Sequence, residues 1–228
     1  MSLLEMKHIK KSFDEVEVLQ DISLKVDEGE VLAVIGPSGS GKSTLMNMLG
    51  CLDVPSSGNY FLNGHDVSKL TDNQLSDIRN KEIGFIFQGF NLIANLDAVE
   101  NVELPLIYRG LGKQKRRNIA VEALNKVGLG TRMKHKPSEL SGGQQQRVAV
   151  ARAIAAQPPI VLADEPTGNL DTKSTKEIME ILKGLHRGGR TVIIITHDDE
   201  IAQQVKRVVR IVDGRIEDDY LNEEREGA

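Results

Sequence analysis

The run EVLAVIGPSGSGKST, residues 30–44, narrows the fold more than any other stretch. It begins as a continuous apolar segment ending in glycine, the pattern of a strand buried on both faces. It continues as G-x-x-x-x-G-K-[ST], with Gly36, Gly41, Lys42 and Ser43 at the fixed positions. A strand feeding a glycine-rich turn that opens a helix aims backbone N–H groups and the positive end of a helix dipole at one point. Phosphate oxygens of a nucleotide suit that point. Lys42 is placed to reach β- and γ-phosphates and Ser43 to ligate Mg²⁺. Pro37, Ser38, Gly39, Ser40 and Thr44 complete the cradle, and the glycines let the backbone close around an anion without Cβ clashes. An incidental Gly/Ser turn shares the residue types but lacks the strand before it and the helix after it.

The surrounding pattern is α/β. Strands are predicted at 3–9, 16–26, 30–36, 56–64 and 83–87, with helices over 42–49 and from the N-cap Thr71. From about 91 to 156 the pattern is helical with almost no strand signal. KQKRRNIAVEALNKVG puts Ile119, Ala123, Leu124 and Val127 on one face and stops at Gly128. SGGQQQRVAVARAIAAQ forms a second helix, ended by Pro158 and Pro159. Strands return at 160–164, 190–196 and 208–214, with a helix over 172–186. The expected organisation is one domain. The core and a β-subdomain occupy about 1–88 and 159–228, a helical insert occupies about 89–158, and an acidic tail begins near 218.

Composition removes some function classes. With 29 basic and 33 acidic residues among 228 the net charge is −4, so no nucleic-acid partner is expected. The single cysteine, Cys51, rules out an internal disulfide and suits a reducing compartment. No apolar run approaches the roughly 20 residues that span a bilayer, and residues 1–11 do not read as a signal peptide. A cytoplasmic chain is expected, at a membrane only through a partner. The histidines show no metal-ligand spacing.

A P-loop NTPase needs a carboxylate at the end of a second buried strand, near the metal. IVLADE supplies Asp164, and Glu165 beside it suits a general base or a water-orienting group. Gln88 and His197 also end strands, where open parallel sheets gather ligands. His8, His65, His135 and His186 are expected to be structural. There is no guanine-reading N-K-x-D motif, and no second substrate site of a small-molecule kinase is evident.

One motif remains: LSGGQ at 140–144, a second glycine-rich turn opening a helix. GPSGSGKST, Gln88, LSGGQ, LADEP, NLD at 169–171 and TH at 196–197 occur in that order. By this set the chain resembles an ATP-binding cassette (ABC) nucleotide-binding domain over almost its full length. GPSGSGKSTLMNMLGCLD, GFIFQGFNLI, NVELPL and LADEPTGNLD are most similar to the macrolide-exporter and lipoprotein-releasing type. The resemblance implies a RecA-like P-loop NTPase core, an N-terminal antiparallel β-subdomain and an inserted helical subdomain bearing LSGGQ. It implies ATP hydrolysis by a homodimer whose cassettes face head to tail. Ser141, Gly142, Gly143 and Gln144 of one then close over ATP held by the P-loop of the other. Gln88 is implied as the link from the γ-phosphate to the helical subdomain, sharing Mg²⁺ with Ser43 and Asp164. Asp171 is implied to communicate across the dimer, and Glu165 and His197 to position the attacking water. Phe13 falls where an aromatic ring stacks on adenine, with a core Phe as the alternative. Gly89 stands where relatives often carry a second glutamine.

The implied partner is a separate transmembrane permease, reached through about 89–110, with the chain peripheral on the inner membrane face. GFNLIANL, 89–96, suits docking or packing within the subdomain. KQKRR, 113–117, reads as a solvated helix face, with acidic lipid headgroups as the lesser alternative. Two other readings stay open: a non-transporting cassette acting with a membrane protein, as in cell division, and a soluble ABC ATPase of DNA repair or translation. Long coiled coils or a second cassette would mark the soluble class, and neither is read here. The cargo is not legible.

Overall fold

Two sheets position everything else in the computed structural model, which describes residues 2–222. The first is antiparallel, in the order β2-β1-β4-β5, from β1 (Ser2–Phe13), β2 (Val16–Asp27), β4 (Ser57–Leu62) and β5 (His65–Asp66). The second has the order β10-β9-β3-β8-β7-β6, from β3 (Val31–Ile35), β6 (Ile83–Phe87), β7 (Ile160–Asp164), β8 (Thr191–Ile195), β9 (Arg207–Val212) and β10 (Arg215–Leu221). Every pair in it is parallel except β9–β10.

The central strands read as unbroken apolar runs because both faces are covered. Leu32 and Val34 of β3, with Ile160 and Leu162 of β7, face a core shared with the antiparallel sheet and α1 (Lys42–Leu49). Ala33 and Ile35, with Val161 and Ala163, face the opposite core. That core is built with α3 (Ala98–Tyr108), α4 (Lys113–Lys126), α5 (Gly142–Ala155) and α6 (Thr172–Arg187). Two further α-helices complete the set, α2 (Asp72–Glu82) and the one-turn α7 (Asp199–Ala202).

Three helices begin at reciprocal caps that the sequence supplies. Thr71 and Gln74 form a reciprocal capping box at α2, Asp97 and Glu100 at α3, and Ser141 and Gln144 at α5. α3 falls inside the helical pattern of 91–156 and carries Pro105 in its interior. Its missing N–H falls one turn from the helix end, and Asn101 rescues the preceding loop. The buried Asn101 amide accepts from the Ile93 N–H and donates to the carbonyls of Ile93, Leu96 and Asp97.

Two expectations need correction. The acidic tail expected over 218–228 is partly a strand: Asp218–Leu221 pair with Arg207–Arg210. Arg207 draws the acids in, its guanidinium donating to both carboxylate oxygens of Asp219 and to Glu30. Residues 223–228 lie outside the described residues. KQKRR is not simply a solvated face either, because Arg116 and Arg117 each lie 3.2 Å from the buried Glu103 carboxylate of α3. A buried charge is tolerated only when compensated, so these two cations hold α4 on α3.

Cys51 is buried, follows α1 and adopts a left-handed backbone (φ 52°). Burial pushes its thiol from the usual 9.0 up to about 12, against the opposing charge of Arg79. At pH 8 the native thiolate fraction should be about 10⁻⁴, against about a tenth in the unfolded chain. Ellman's reagent is therefore expected to react at least about 100-fold more slowly with native protein than in guanidinium; equal rates would refute the burial argument. The folded-state pKa is raised, so this group's contribution to stability is complete below pH 9 and is lost as pH rises towards 12.

Candidate functional site

The P-loop, Gly36–Thr44, turns from the C-terminal end of β3 into α1. Gly39 and Gly41 take left-handed backbones, φ 80° and 100°. α1 starts with no capping side chain, unlike α3, α5 and α6, and with no acid in its first turn. Its leading N–H groups are left for an anion. The Lys42 ammonium donates to the carbonyls of Gly36 (2.6 Å) and Pro37 (2.8 Å), which stretches the side chain along the loop. Ser40 is buried behind the loop, its main chain bonded to Pro37 and Gly214.

A cleft of about 440 Å³ lies above the strand ends. Ser38, Gly39, Gly41, Lys42, Ser43 and Thr44 wall one side, with Gln88, Asp164, Glu165 and His197 opposite. Four loops distant in sequence meet here because β3, β8, β7 and β6 are consecutive and parallel, so their C-terminal ends share one edge. Val18 and Ile195 also line the cleft. Neither carried a chemical signal in the sequence, since each is an ordinary strand residue.

Burial raises the pKa of Asp164 most, the Glu165 charge raises it further, and Lys42 opposes both. Glu165 is held from every side. Its Oε2 accepts from Thr196 Oγ1 (3.1 Å), and its Oε1 accepts from the His197 N–H (3.0 Å) and lies 2.6 Å from His197 Nδ1. Its backbone is left-handed, φ 44°, a conformation worth about 1–3 kcal/mol of strain. The N–H of Glu165, bonded to the Ile195 carbonyl, helps hold it there. The Nδ1 of His197 is therefore turned to Glu165, and its Nε2 is the nitrogen left for a substrate.

The remaining sequence-predicted residues lie elsewhere. Phe13 is 48% exposed at the end of β1, with Lys11 Nζ 4.9 Å from its ring centre, so the core alternative for it fails. Ser141–Gln144 are not among the described residues that wall the cleft. Ser141 is exposed, and its Oγ caps α5 at the Gln144 N–H. Asp171 caps α6, accepting from the N–H groups of Lys173 and Ser174 and from Ser174 Oγ. These bonds lower its pKa. The capping role has a signal in D-T-K-S before a periodic run.

The LSGGQ turn is bound into its own chain from behind. Gln146, fully buried, donates to the Pro166 carbonyl, and Arg147 pairs with Glu177. Gln146 stands three residues after Gly143 on the buried side of α5, a periodicity that could have flagged it. Arg152 donates to the carbonyls of Phe90 and Asn91, tying α5 to the loop after Gln88. A Cβ on Gly143 would lie 2.2 Å from Ser174 Oγ and 2.7 Å from Ser174 Cβ. Gly143→Ala is therefore expected to destabilise by about 1–2 kcal/mol, despite alanine's better helix propensity. A double-mutant cycle with Ser174→Gly, read by urea unfolding, should show about 1 kcal/mol of coupling; strict additivity would refute the contact.

Residues 19–168 match the family model described as ABC transporter. The chain belongs to the ABC transporter family. This ABC ATPase is 50% identical over 219 residues to an uncharacterized ABC transporter ATP-binding protein of Thermotoga maritima, covering 94% of each chain. It is 52% identical over 221 residues to the macrolide export ATP-binding/permease protein MacB of Bdellovibrio bacteriovorus, covering 95% of this chain and 34% of MacB. The fold is that of a dimeric ATP-binding cassette solved in a post-hydrolysis state with ADP and Pi. The TM-score is 0.89 at 43% identity, covering 97% of this chain and 99% of the other. The RecA-like core with its antiparallel β-subdomain and inserted helices is thus the cassette fold, and the chain is an ATPase.

Proposed function

We propose that this ABC ATPase powers an exporter of the MacB kind, hydrolysing Mg-ATP at two sites shared by a head-to-tail homodimer and driving a separate transmembrane permease. One observation carries the dimer reading: Ser141–Gln144 form a glycine-rich helix N-terminus, capped by the exposed Ser141, that does not line the chain's own cleft. A second anion cradle facing outward needs a second chain to bring it an anion.

The cleft's donors fit Mg²⁺, since the Asp164 carboxylate, the Ser43 hydroxyl and the Gln88 amide oxygen are hard oxygen ligands on one cavity. Bound there, the metal would neutralise charge on the β- and γ-phosphate oxygens. The P-loop N–H groups and Lys42 bind those oxygens from the other side. Glu165 orients water and accepts its proton, with Thr196 and His197 holding the carboxylate in one pose. His197 Nε2 is aimed to stabilise the transferred phosphoryl group. Phe13 supplies an exposed ring for the base, and Asp171, rigid at its cap, faces the second copy.

A groove of about 630 Å³ suits the permease. Leu52, Phe85, Phe87, Leu104 and the 81%-exposed Tyr108 make it apolar, and Arg79 and Arg152 add charge. Asn91, beside the Gln88 loop, also lines it, so an occupant would bear on that loop. No helix of the described residues is long and apolar enough to cross a membrane, which fits attachment at the cytoplasmic face through a partner.

Mixing defective chains tests the shared site. Lys42→Ala and Ser141→Arg should each abolish ATPase activity alone. A head-to-tail heterodimer of the two restores one intact site, so an equal mixture should recover roughly a quarter of wild-type turnover. No recovery, with both variants folded and the wild-type protein active, would refute the shared site.

A further inference from the structure

Arg109, the residue closing α3, grips main-chain carbonyls from two other elements. Its Nε and Nη2 donate to the Asn80 carbonyl (3.0 and 2.8 Å), Nη2 also to Lys81 (2.8 Å), and Nη1 to Ala156 (2.7 Å). Asn80 and Lys81 end α2 immediately before β6, the strand that leads to Gln88. Ala156 ends α5, the helix that begins at Ser141. Asn80 returns a bond, its side-chain amide donating to the Pro105 carbonyl. The residue therefore stands where three helix C-terminal ends converge, a site that favours a cation. Its planar, divergent donors bridge separate carbonyls, which an ammonium cannot do from a single point.

The layer of α3, α4 and α5 joins the core by chain at only two places, after β6 and before β7, and these strands are paired neighbours. Arg109 ties the layer to the turn that enters β6 and, within the layer, ties α3 to the end of α5 that leads to β7. Arg152 ties it again beyond the other end of β6, through Phe90 and Asn91. Both links hold the C-terminal part of α5, since Arg152 lies in its last turn, and together they set the direction of Ser141 relative to the P-loop; loss of Arg109 would leave the Arg152 link as a pivot about which the helix is expected to tilt.

We propose that Arg109 is a positioning residue for the shared ATP site, setting the angle at which the LSGGQ turn meets a second chain's nucleotide. This rests on the head-to-tail reading above. Arg109 does not line the phosphate cleft and acts through the direction of α5.

Arg109→Ala tests it, with Arg190→Ala as the control. Arg190 also lies near the end of α5 and donates to a single carbonyl, that of Pro158 (2.7 Å). Its loss should weaken the fold without moving the lower end of α5. Both variants are assayed well below their melting temperatures. Arg109→Ala should bind fluorescent ATP analogue as monomer within about threefold of wild type while its turnover falls at least about tenfold. In the Glu165→Gln background it should also require at least about tenfold more protein for ATP-dependent dimerisation. Arg190→Ala should change neither, and Arg109→Lys should recover less than half of the loss. Unchanged dimerisation and turnover in Arg109→Ala overturn the proposal while the shared site stands, and so does an equal loss in Arg190→Ala. Failure of Glu165→Gln itself to dimerise with ATP overturns the shared site and this role together. If Arg109→Ala does not fold, Arg109→Gln, which keeps one donor group, is read by the same criteria.

Discussion

Replacing Glu165 by Gln is expected to lower ATP turnover by about 10²- to 10⁴-fold, the usual contribution of a positioned general base. ATP binding should survive, because the P-loop N–H groups and Lys42 are untouched. The substitution keeps the shape and removes the charge. It also disturbs a saturated set of bonds, since Thr196 Oγ1, the His197 N–H and the His197 ring all address this carboxylate. A glutamine can offer its oxygen to His197 but then presents an NH₂ group to Thr196 Oγ1, whose lone pairs can accept it. The side chain therefore stays in place and loses only its basicity. With hydrolysis stopped, the ATP-bound form persists, and a chain of 25.1 kDa should elute at about twice that mass when Mg-ATP is present. Turnover within tenfold of wild type would remove Glu165 from the role of base. Slow turnover without a mass shift would leave Glu165 as base and count against the shared site.

The parts of the site that announce themselves in sequence have unusual residue types at fixed spacing. Gly36, Gly41, Lys42 and Ser43 are legible because a phosphate cradle tolerates few alternatives. Asp164, Glu165 and His197 are legible because each follows an apolar run long enough to be a buried strand, and strand ends are where such sheets gather ligands. The order β10-β9-β3-β8-β7-β6 was not legible in detail, because pairing between distant strands leaves no local mark on either. Nor were the braces. Arg109, Arg152 and Asn101 work by donating to main-chain carbonyls, and any residue at the receiving position supplies a carbonyl. Only the donor's identity is written in the sequence, and an arginine in a helix ordinarily reads as surface. The C-terminal part of β10, which reads as an acidic tail from about 218, hides its pairing for a similar reason. Asp218–Leu221 form an acidic and exposed stretch that pairs with β9, where Arg207 holds Asp219.

Gly36→Ala should be among the most damaging single-methyl changes available to this chain. A Cβ there would lie 2.1 Å from the Ile211 carbonyl oxygen and 2.8 Å from Ser40 Oγ. The hydroxyl can rotate away, but the carbonyl cannot. Ile211 belongs to β9, whose preceding residue pairs with Ile35, so relief requires β3 and β9 to separate where the P-loop begins. The loop is fastened to that region a second time, since the Gly214 N–H donates to the Ser40 carbonyl and the Gly214 carbonyl accepts from the Gln20 N–H. Moving one anchor therefore strains the other. Overpacking against main chain of this kind should cost about 3 kcal/mol or more in urea unfolding. Displaced P-loop N–H groups should also weaken ATP binding at least about tenfold, in a variant whose folded fraction is checked by circular dichroism. Gly39→Ala provides the contrast. Its Cβ would meet nothing within 4 Å, so only the left-handed backbone at φ 80° resists it, at about 1–2 kcal/mol. Equal losses at the two positions would mean that backbone conformation, and not the approach of β9, is what requires glycine at 36. A larger loss at Gly36, in both stability and nucleotide affinity, ties the geometry of the phosphate cradle to the packing of β3 against β9.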